Sequence, residues 1–316
     1  GLSLKVLFMG TPAFAGPSLE ALLNSRHRVT AVVTQPDRPA GRGLSLKAPP
    51  VKDLALEAGL PVHQPRKIRG AEFLDLVRGY APDLLVVVAF GRILPGPILE
   101  AAPMGGVNLH SSLLPRYRGA APVAWAIARG ETVTGGTTMR LVEELDAGEI
   151  YLQRSLTILP GETTGDLEKR LAALGAPLLV ETVDALAEET LAGLPQAPEE
   201  ATFAPVIRKE DGLIHWTEAA LVIERRVRAF NPWPVAYTGH GGRRLRVWRA
   251  AASGGATGEP QGEPGTVLEA GRDGIRIGCG DGTSLDLLEV QPEGRRRMTG
   301  AEAAAGRHLA AGDRLG

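Results

Sequence analysis

The sequence predicts an α/β protein, with a mostly parallel β-sheet in the first part of the chain and a small β-barrel in the last part. Two observations predict this fold class. Up to about residue 110, apolar strand patterns alternate with helix patterns at the spacing that right-handed βαβ crossovers require. Beyond a proline-containing stretch at 193–206, short strand patterns are separated by glycines, which is typical of a small barrel.

The first part of the chain contains short apolar strands with helices between them. The predicted strands span residues 5–10, 28–34, 61–63, 83–89 and 107–110, and the predicted helices span 17–24, 51–58 and 71–78. Two β-rich stretches, 134–142 and 150–159, are predicted to pair with each other. Residues 164–192 are predicted as a long helical stretch that is interrupted near Gly175 and Pro177, since both residue types weaken a helix interior.

The second part of the chain has a different pattern of predicted elements and a different composition. A predicted helix at 219–229 is followed by predicted strands at 244–250, 265–269, 274–278 and 284–290, and by a closing helix near 299–310. The stretch 252–265 is rich in Gly, Pro and Glu and is predicted to be a mobile loop. These changes predict three segments: a first domain at 1–192, a linker at 193–206 and a barrel domain at 207–316.

Composition places the chain among soluble globular proteins. With 44% hydrophobic but only 4% aromatic residues, the core must be built from Leu, Val, Ile and Ala. The longest apolar run, 84–90, is far shorter than a membrane span, and residues 1–5 lack the pattern of a secretory signal. The single cysteine, Cys279, excludes an intramolecular disulfide. We therefore expect a cytoplasmic protein in which Cys279 is a buried structural thiol.

Charge is distributed unevenly along the chain. The net charge of −1 argues against a general polyanion-binding protein, but residues 37–69 contain seven basic and three acidic side chains. Local positive charge of this kind suits phosphate contacts, although an ordinary solvated surface has the same composition. Within this region, residues 36–43 contain two prolines and two glycines. We expect an exposed loop there that forms neither a helix nor regular sheet pairing.

The turn after the first strand, from Gly10 to Gly16, lacks the glycines of a nucleotide-binding loop. A dinucleotide fingerprint needs G-x-G-x-x-G, and Pro12 stands at the second glycine and has no N–H. The Gly-Lys-Ser/Thr of an ATP-binding loop is also absent. The histidines and the single cysteine show no metal-ligand spacing. The sequence therefore predicts no NAD, no ATP and no metal.

Two polar side chains lie two residues apart in a predicted strand. Asn108 and His110 consequently share one face, where a neutral donor stands beside a group that can exchange a proton near neutral pH. Asp146 follows in a Leu-Asp-Ala-Gly stretch and could orient the imidazole. Such a set suits attack on a carbonyl by a nucleophile that the substrate supplies. Taken singly, a structural histidine and a turn-forming aspartate are the alternatives.

Three stretches, in this order, resemble the folate-dependent formyltransferases, in particular the branch that acts on methionyl-tRNA. They are the loop at 34–43, the Asn-Leu-His-Ser-Ser-Leu-Leu-Pro at 108–115 with the later Asp-Ala-Gly at 146–148, and the Phe-Asn-Pro-Trp-Pro-Val-Ala at 230–236. The resemblance covers nearly the whole chain. It implies a Rossmann-like catalytic domain at 1–192 and an OB-like barrel at 207–316 that positions tRNA.

The resemblance also implies roles for individual residues. The catalytic residues would be Asn108, His110 and Asp146. The folate-binding residues would be Ser112, Leu113, Leu114 and Pro115, with 88–95 as a second wall of the same pocket. The tRNA-binding residues would be Arg38, Arg42 and Lys47. Phe14 is either helix-entry packing or a contact for the methionyl side chain, and 295–297 is either a phosphate-contacting arginine cluster or a solvated loop.

The implied activity is transfer of the formyl group of 10-formyltetrahydrofolate to the α-amine of methionyl-initiator-tRNA, by a monomer. A formyltransferase of 4-amino-sugar nucleotides and the hydrolase domain of formyltetrahydrofolate dehydrogenase would share the three catalytic residues. A catalytically silent RNA-binding module is the alternative from a different class. The loop at 38–43 and the stretch at 230–236 favour tRNA as the substrate, and the intact catalytic residues argue against a silent module.

Overall fold

The computed structural model describes residues 1–253 and 262–316, which form two compact units. The first unit comprises Gly1–Pro122, Val133–Thr157 and Glu168–Pro205, and the second comprises Val123–Thr132, Ile158–Leu167 and Val206–Gly316. Two short segments of the first part of the chain thus cluster with the second unit, whereas the division predicted from composition was contiguous. Most of the predicted mobile loop at 252–265 lies outside the described residues.

The first unit is built on a seven-stranded sheet with the order β5-β2-β1-β6-β7-β8-β9. Its strands are β1 (Lys5–Gly10), β2 (Arg28–Val33), β5 (Val62–His63), β6 (Leu84–Val88), β7 (Gly106–His110), β8 (Val133–Arg140) and β9 (Ile150–Thr157), and a separate ribbon is formed by β3 (Arg38–Ala40) and β4 (Ser45–Lys47). The five strands from β5 to β7 are parallel, while β8 and β9 are antiparallel to their neighbours. The predicted, mostly parallel sheet is confirmed.

Apolar side chains cover both faces of this sheet. The helices of this part of the chain are α1 (Gly16–Leu23), α2 (Pro50–Glu57), α3 (Ala71–Tyr80), α4 (Gly96–Glu100), α5 (Pro122–Ala128) and α6 (Thr164–Ala187). Because strand side chains alternate, β1 sends Val6 and Phe8 into one buried cluster and Leu7 and Met9 into another. Burial on both faces explains why these strands appear in the sequence as continuous apolar runs.

Three neighbouring parallel strands end along one edge of the sheet. They are β1, β6 and β7, which finish at Gly10, Val88 and His110. In open α/β sheets, ligands bind in the crevice outside the carboxyl ends of the strands. This edge is therefore where the fold positions a candidate site.

The expectation that the loop near residue 40 forms no regular pairing is wrong. Strands β3 and β4 pair antiparallel, with Arg38 opposite Lys47 and Ala40 opposite Ser45. The turn between them uses glycines with positive φ, at 72° for Gly41 and 93° for Gly43. A two-stranded ribbon leaves one side of each strand unpaired, so a proline facing outward loses no ladder hydrogen bond.

The predicted interruption of the long helix is also wrong, because α6 continues through Pro177. A proline inside a helix costs about 3 kcal/mol. The same helix buries Leu171, Leu178, Leu179 and Val183 almost completely. Each such side chain contributes roughly 1.5–3 kcal/mol on burial, so together they outweigh the proline.

The second unit contains an antiparallel sheet of six strands, with the order β10-β11-β14-β13-β12 and β15 paired to β14. Its elements are α7 (Ala220–Ala229), β10 (Ala236–His240), β11 (Arg243–Ser253), β12 (Val267–Gly271), β13 (Gly274–Gly278), β14 (Ser284–Pro292), β15 (Met298–Thr299) and α8 (Gly300–Ala305). The last residues connect the two outer strands: Val267 of β12 donates to the carbonyl of Asp313, and Gly316 donates to the carbonyl of Gly239 of β10. The predicted α/β fold class is confirmed, with a Rossmann-like unit first; where an OB-like barrel was predicted, the second unit has an antiparallel sheet whose two outer strands are connected by the last residues.

Among the residues described, none of the helices combines the length and the apolar character that crossing a membrane requires.

Candidate active site

Strand β7 presents Asn108 and His110 on one face, at the carboxyl edge of the sheet. His110 is 8% exposed and Asn108 is half-buried. Within the part of the chain that the structure describes, the Asn108 side-chain amide makes no hydrogen bond to another residue. A donor without a partner among the described residues is available to an oxygen atom of a ligand.

The two ring nitrogens of His110 have different surroundings. Nε2 lies 2.8 Å from the carbonyl oxygen of Tyr117. Because a carbonyl oxygen only accepts, Nε2 must carry a proton in this contact. Nδ1 lies 3.8 Å from Asp146 Oδ1, which is longer than a hydrogen bond. The Tyr117 carbonyl, rather than Asp146, therefore fixes the tautomer of the neutral ring, and Nδ1 is the nitrogen that can exchange a proton.

Asp146 is a buried carboxylate in an unusual backbone conformation. It is 6% exposed, its φ is +53°, and its Oδ2 accepts the Gly119 N–H at 2.7 Å. A side chain at Gly148 would collide with the carbonyl oxygen of Arg140. Two residues of the Asp-Ala-Gly sequence are thus required for separate reasons. Asp146 supplies the carboxylate, and Gly148 allows the loop to approach β8 closely.

The loop at 112–117 is connected to the neighbouring strands by side-chain hydrogen bonds. Thr137 Oγ1 donates to the Ser112 carbonyl at 2.7 Å, and Gln153 Nε2 donates to the Leu114 carbonyl at 2.8 Å. The Ser112 hydroxyl donates to the Arg116 carbonyl, and Ser112 is only 1% exposed. Ser112 and the buried Leu114 therefore shape the loop, while Leu113 and Pro115 remain half-buried.

A cavity of about 600 Å³ opens at the same edge of the first unit. Its lining includes Ala89, Phe90 and Gly91 after β6, together with Arg38 and Lys47 of the ribbon. The stretch at 88–95, predicted to be a second wall of a folate pocket, thus shares this cavity with two of the predicted tRNA contacts. Gln35 also lines it; its Nε2 donates to the Phe90 carbonyl at 3.0 Å, whereas its Oε1 has no hydrogen-bond partner among the residues that the structure describes.

The three predicted tRNA contacts lie in the ribbon. Arg38, Arg42 and Lys47 are all exposed, and none of them forms an ion pair with a described residue. Hydrogen bonds from Gln64 and Lys52 hold the pKa of the nearby Asp37 carboxyl below its usual range, so it is ionised, and the Lys52 ammonium 3.1 Å away balances its negative charge. The ribbon consequently keeps its positive charge.

Other predicted site residues have more ordinary surroundings. Phe14 is half-buried and packs against the apolar cluster on one face of the sheet. In the second unit, the Arg297 guanidinium stacks on the Trp248 ring at 3.2 Å, and Arg296 pairs with Glu302 at 2.9 Å. Across residues 1–253 and 262–316, no group of three or more His, Cys, Asp or Glu side chains is placed to hold a metal ion.

Sequence reasoning missed several residues that support this site. They are Tyr117, Gly119, Thr137, Gln153 and Gln196. Tyr117 and Gly119 follow the motif directly and could have been suspected from proximity. Thr137, Gln153 and Gln196 are isolated polar residues, and only the fold brings them to the loop.

Both units match known protein families. Residues 4–183 match the formyl transferase family and residues 206–308 match the formyl transferase C-terminal domain. Fold and site together therefore define a formyl transferase. A solved N-formyltransferase from Helicobacter canadensis, in complex with folinic acid and dTDP-3-aminofucose, shares the fold, with a TM-score of 0.66 and 17% identity over 92% of this chain and 99% of that chain.

Relatives along the full length are more specific. The methionyl-tRNA formyltransferase of Desulfotalea psychrophila is 49% identical over 94% of this chain and 91% of its own length. The methionyl-tRNA formyltransferase of Geobacter sulfurreducens is 48% identical over 99% of this chain and 97% of its own length. The chain belongs to the methionyl-tRNA formyltransferase family, and the resemblance predicted from the motifs is confirmed.

Proposed function

We propose that this protein transfers the formyl group of 10-formyltetrahydrofolate to the α-amine of methionyl-initiator-tRNA, for translation initiation. Full-length relatives that share almost half of its residues are named for formyl transfer to methionyl-tRNA. The observation that carries the chemistry is the pair on β7: an Asn108 amide without a protein partner, and a His110 ring whose Nε2 is committed to a backbone carbonyl. The solved sugar N-formyltransferase that shares the fold is 17% identical to this chain, against 49% for the methionyl-tRNA formyltransferase of Desulfotalea psychrophila.

Asn108 and His110 have separate tasks in the proposed reaction. The substrate amine attacks the formyl carbon, and the Asn108 amide donates to the oxygen that gains negative charge. The C=O bond then re-forms as the bond between the formyl carbon and N10 breaks, and N10 leaves as an amine because it takes up, from His110 Nδ1, the proton that the attacking nitrogen has lost. His110 Nδ1 accepts the proton that the attacking nitrogen loses, since Nε2 already carries one.

Asp146 stabilises the charged form of His110. Its Oδ1 lies 3.8 Å from Nδ1, so the imidazolium that forms during transfer faces a carboxylate. Both side chains are more than nine-tenths buried, which strengthens their attraction relative to water. The Gly119 N–H holds the other oxygen of Asp146, so the carboxylate is oriented before the substrate arrives.

The half-buried Leu113 and Pro115 are the members of the predicted folate-binding set that can offer apolar surface to the pterin ring. Ser112 and Leu114 maintain the loop that presents them.

The ribbon and the adjoining cavity are proposed to receive the aminoacyl end of the tRNA. Arg38 and Lys47 line the cavity and supply positive charge for phosphates. The unpartnered Gln35 Oε1 offers an acceptor to an N–H of the ligand. Leu44 and Leu46, which are 72% and 70% exposed, give the ribbon an apolar surface beside its cations. Phe14 is proposed to contact the methionyl side chain, and Arg42 to contact the acceptor stem.

We further propose that the enzyme works as a cytoplasmic monomer that needs no metal, NAD or ATP. The chain lacks the glycine patterns that NAD and ATP sites require, and its only cysteine is a buried free thiol.

The test compares two acceptors with the same formyl donor: charged initiator tRNA and a 4-amino-sugar nucleotide. We expect transfer to the tRNA only, and we expect Asn108→Ala and His110→Ala each to lower turnover by about a hundredfold or more. His215→Ala, an exposed histidine of the second unit, is the matched control and should keep wild-type turnover. Faster transfer to the sugar nucleotide, or near-normal turnover by a folded His110→Ala protein, would contradict the proposal.

A further inference from the structure

The chain after α6 returns to the candidate site. Leu194 exchanges two backbone hydrogen bonds with Ile150 at the start of β9. Farther on, the Arg118 N–H donates to the Thr202 carbonyl at 2.9 Å, and the Ala204 N–H donates to the Arg118 carbonyl at 2.7 Å. Part of the segment predicted as a linker therefore lies beside the loop that follows the Asn-x-His motif.

Gln196 lies in this returning segment and is 9% exposed. Its Nε2 donates to the carbonyls of Asp146 and Gly148, at 2.7 and 2.8 Å. Its Oε1 accepts from Nη2 and Nε of Arg118, at 2.8 and 3.1 Å. A side-chain amide has two N–H groups and two lone pairs, so the hydrogen-bonding capacity of Gln196 is fully used.

These bonds connect two loops whose backbones are held in unfavourable conformations. Asp146 has a φ of +53° and Tyr117 a φ of +57°, and both values lie in the left-handed region that residues other than glycine rarely adopt. Such conformations persist only when the surroundings hold them. Gln196 holds Asp146 through its carbonyl and holds the Tyr117 loop through Arg118, one residue further along.

Arg118 adds a second reason for the position of Gln196. Its guanidinium is buried, at 7% exposure, and pairs with no carboxylate of the described residues. Gln196 Oε1 is the acceptor for two of its donors. Losing that acceptor would leave a buried cation without compensation, which favours movement of the loop toward water.

We propose that Gln196 is a positioning residue of the formyl-transfer site, which sets the separation of Asp146 and His110 by clamping the backbone on both sides. It touches neither substrate and acts through Asp146. The proposal rests on the proposed catalytic role of Asp146, and it assigns a functional residue to the segment between the catalytic unit and the C-terminal part of the chain.

The test uses the full-length protein and the variants Gln196→Glu and Gln196→Met. Gln196→Glu keeps an acceptor for Arg118 but removes both donors and places a carboxylate against two carbonyls. Gln196→Met removes both functions at similar volume. We expect kcat to fall about 10- to 100-fold in each, as misplaced catalytic groups do, with KM for the formyl donor changed less than about twofold. If neither Gln196→Glu nor Gln196→Met folds, Gln196→Asn, the mildest change, is measured in their place.

A double-mutant cycle with Asp146→Asn separates positioning from general structure. If Gln196 acts through Asp146, adding Gln196→Glu to Asp146→Asn should cost less than about threefold more in kcat. If the losses in kcat of the two single variants multiply in the double variant, the proposal is overturned. A folded Gln196 variant with wild-type kcat would also overturn it. If Asp146→Asn alone keeps wild-type kcat, the proposed role of Asp146 fails, and this inference fails with it.

Gln291→Glu is the matched control. Gln291 lies in the second unit, where its amide also donates to a backbone carbonyl, that of Arg295, and accepts from a side-chain N–H, that of Trp248. At saturating tRNA, the kcat of Gln291→Glu should equal that of the wild type. An equal loss in Gln291→Glu and Gln196→Glu would show that any amide-to-acid change has this effect, and would overturn the assignment to Gln196.

Discussion

Gly175 of α6 offers a test of how closely the helix must approach β7, the strand that carries the proposed catalytic residues. A methyl group at Gly175 would lie 2.6 Å from Leu109 Cδ2 and 3.1 Å from Leu109 Cδ1. Since carbon atoms normally pack at about 3.5–4.0 Å, Leu109 would have to move by about 1 Å. Leu109 stands between Asn108 and His110 on β7 and is 3% exposed, so we expect its displacement to be transmitted to these two proposed catalytic residues.

The expected effect of Gly175→Ala follows from two opposing contributions. Alanine is favoured over glycine in a helix by about 1 kcal/mol. Overpacking a core costs about 1–3 kcal/mol. The net loss of stability is therefore up to about 2 kcal/mol, or a fall of up to about 8 °C in Tm. Because a 1 Å misplacement can cost about a hundredfold in rate, we expect kcat to fall about 10- to 100-fold. Thermal melting and steady-state formylation measure the two effects.

Gly136 of β8 is a matched control because it faces the same leucine. A methyl group there would lie 3.8 Å from Leu109 Cδ1, which is an ordinary contact. Gly136→Ala should therefore keep wild-type kcat and Tm. The double variant Gly175→Ala/Leu109→Val, which shortens the obstructing side chain, should recover part of the loss. If Gly175→Ala is as stable and as active as Gly136→Ala, the close packing of α6 on β7 does not control the site.

Three further predictions concern other parts of the molecule. Asp146→Asn removes the charge opposite His110 but keeps an oxygen for the Gly119 N–H. We therefore expect kcat to fall about a hundredfold or more, while folate affinity, measured by fluorescence titration, stays nearly constant. Lost folate binding with normal turnover at saturation would instead place Asp146 in ligand binding. Arg42→Lys keeps the charge but loses the planar fork of donors, so the rate of formylation at subsaturating tRNA should fall. The rate should fall further in Arg42→Ala, and folate affinity should not change in either variant. A wild-type rate for Arg42→Ala would show that the ribbon does not recognise tRNA. Burial raises the pKa of the Cys279 thiol to about 12 from its ordinary value of 9.0, so a thiol reagent should label it only after unfolding. Since the unfolded chain then releases this proton at lower pH than the folded chain, the contribution of Cys279 to stability should decrease as pH rises from 9.0 to about 12, and a Cys279→Ala protein should lack that decrease.

The parts of the fold that depend on local pattern were predictable. Strand β1 was predicted at residues 5–10 and is Lys5–Gly10, because a buried parallel strand is a continuous apolar run bounded by turn residues. The placement of Asn108 and His110 on one strand face follows directly from a spacing of two residues. Sequence alone was sufficient where neighbours in the chain are also neighbours in space.

Features that depend on distant packing were not predictable. Gly175 and Pro177 look like a helix interruption, and only the apolar face that α6 buries shows why the helix continues. Residues 193–206 look like a linker because they contain three prolines and several polar residues. Their contacts with Asp146 and Arg118 become visible only when β9 and α6 have brought the segment back to the site.

The tautomer of His110 shows why a list of catalytic side chains describes this site incompletely. The sequence assigned the orienting role to Asp146, because a carboxylate is the side chain that usually holds a catalytic imidazole. In the structure a backbone carbonyl holds Nε2, and any residue at position 117 would provide that carbonyl. What must be conserved physically is the path of the loop, which the Gly119 N–H, the Arg118 guanidinium and the strand-like contact with Thr202 maintain. In the proposed reaction, Asp146 is thereby left free to respond to the charge that appears on Nδ1 during transfer, instead of serving as a permanent hydrogen-bond partner.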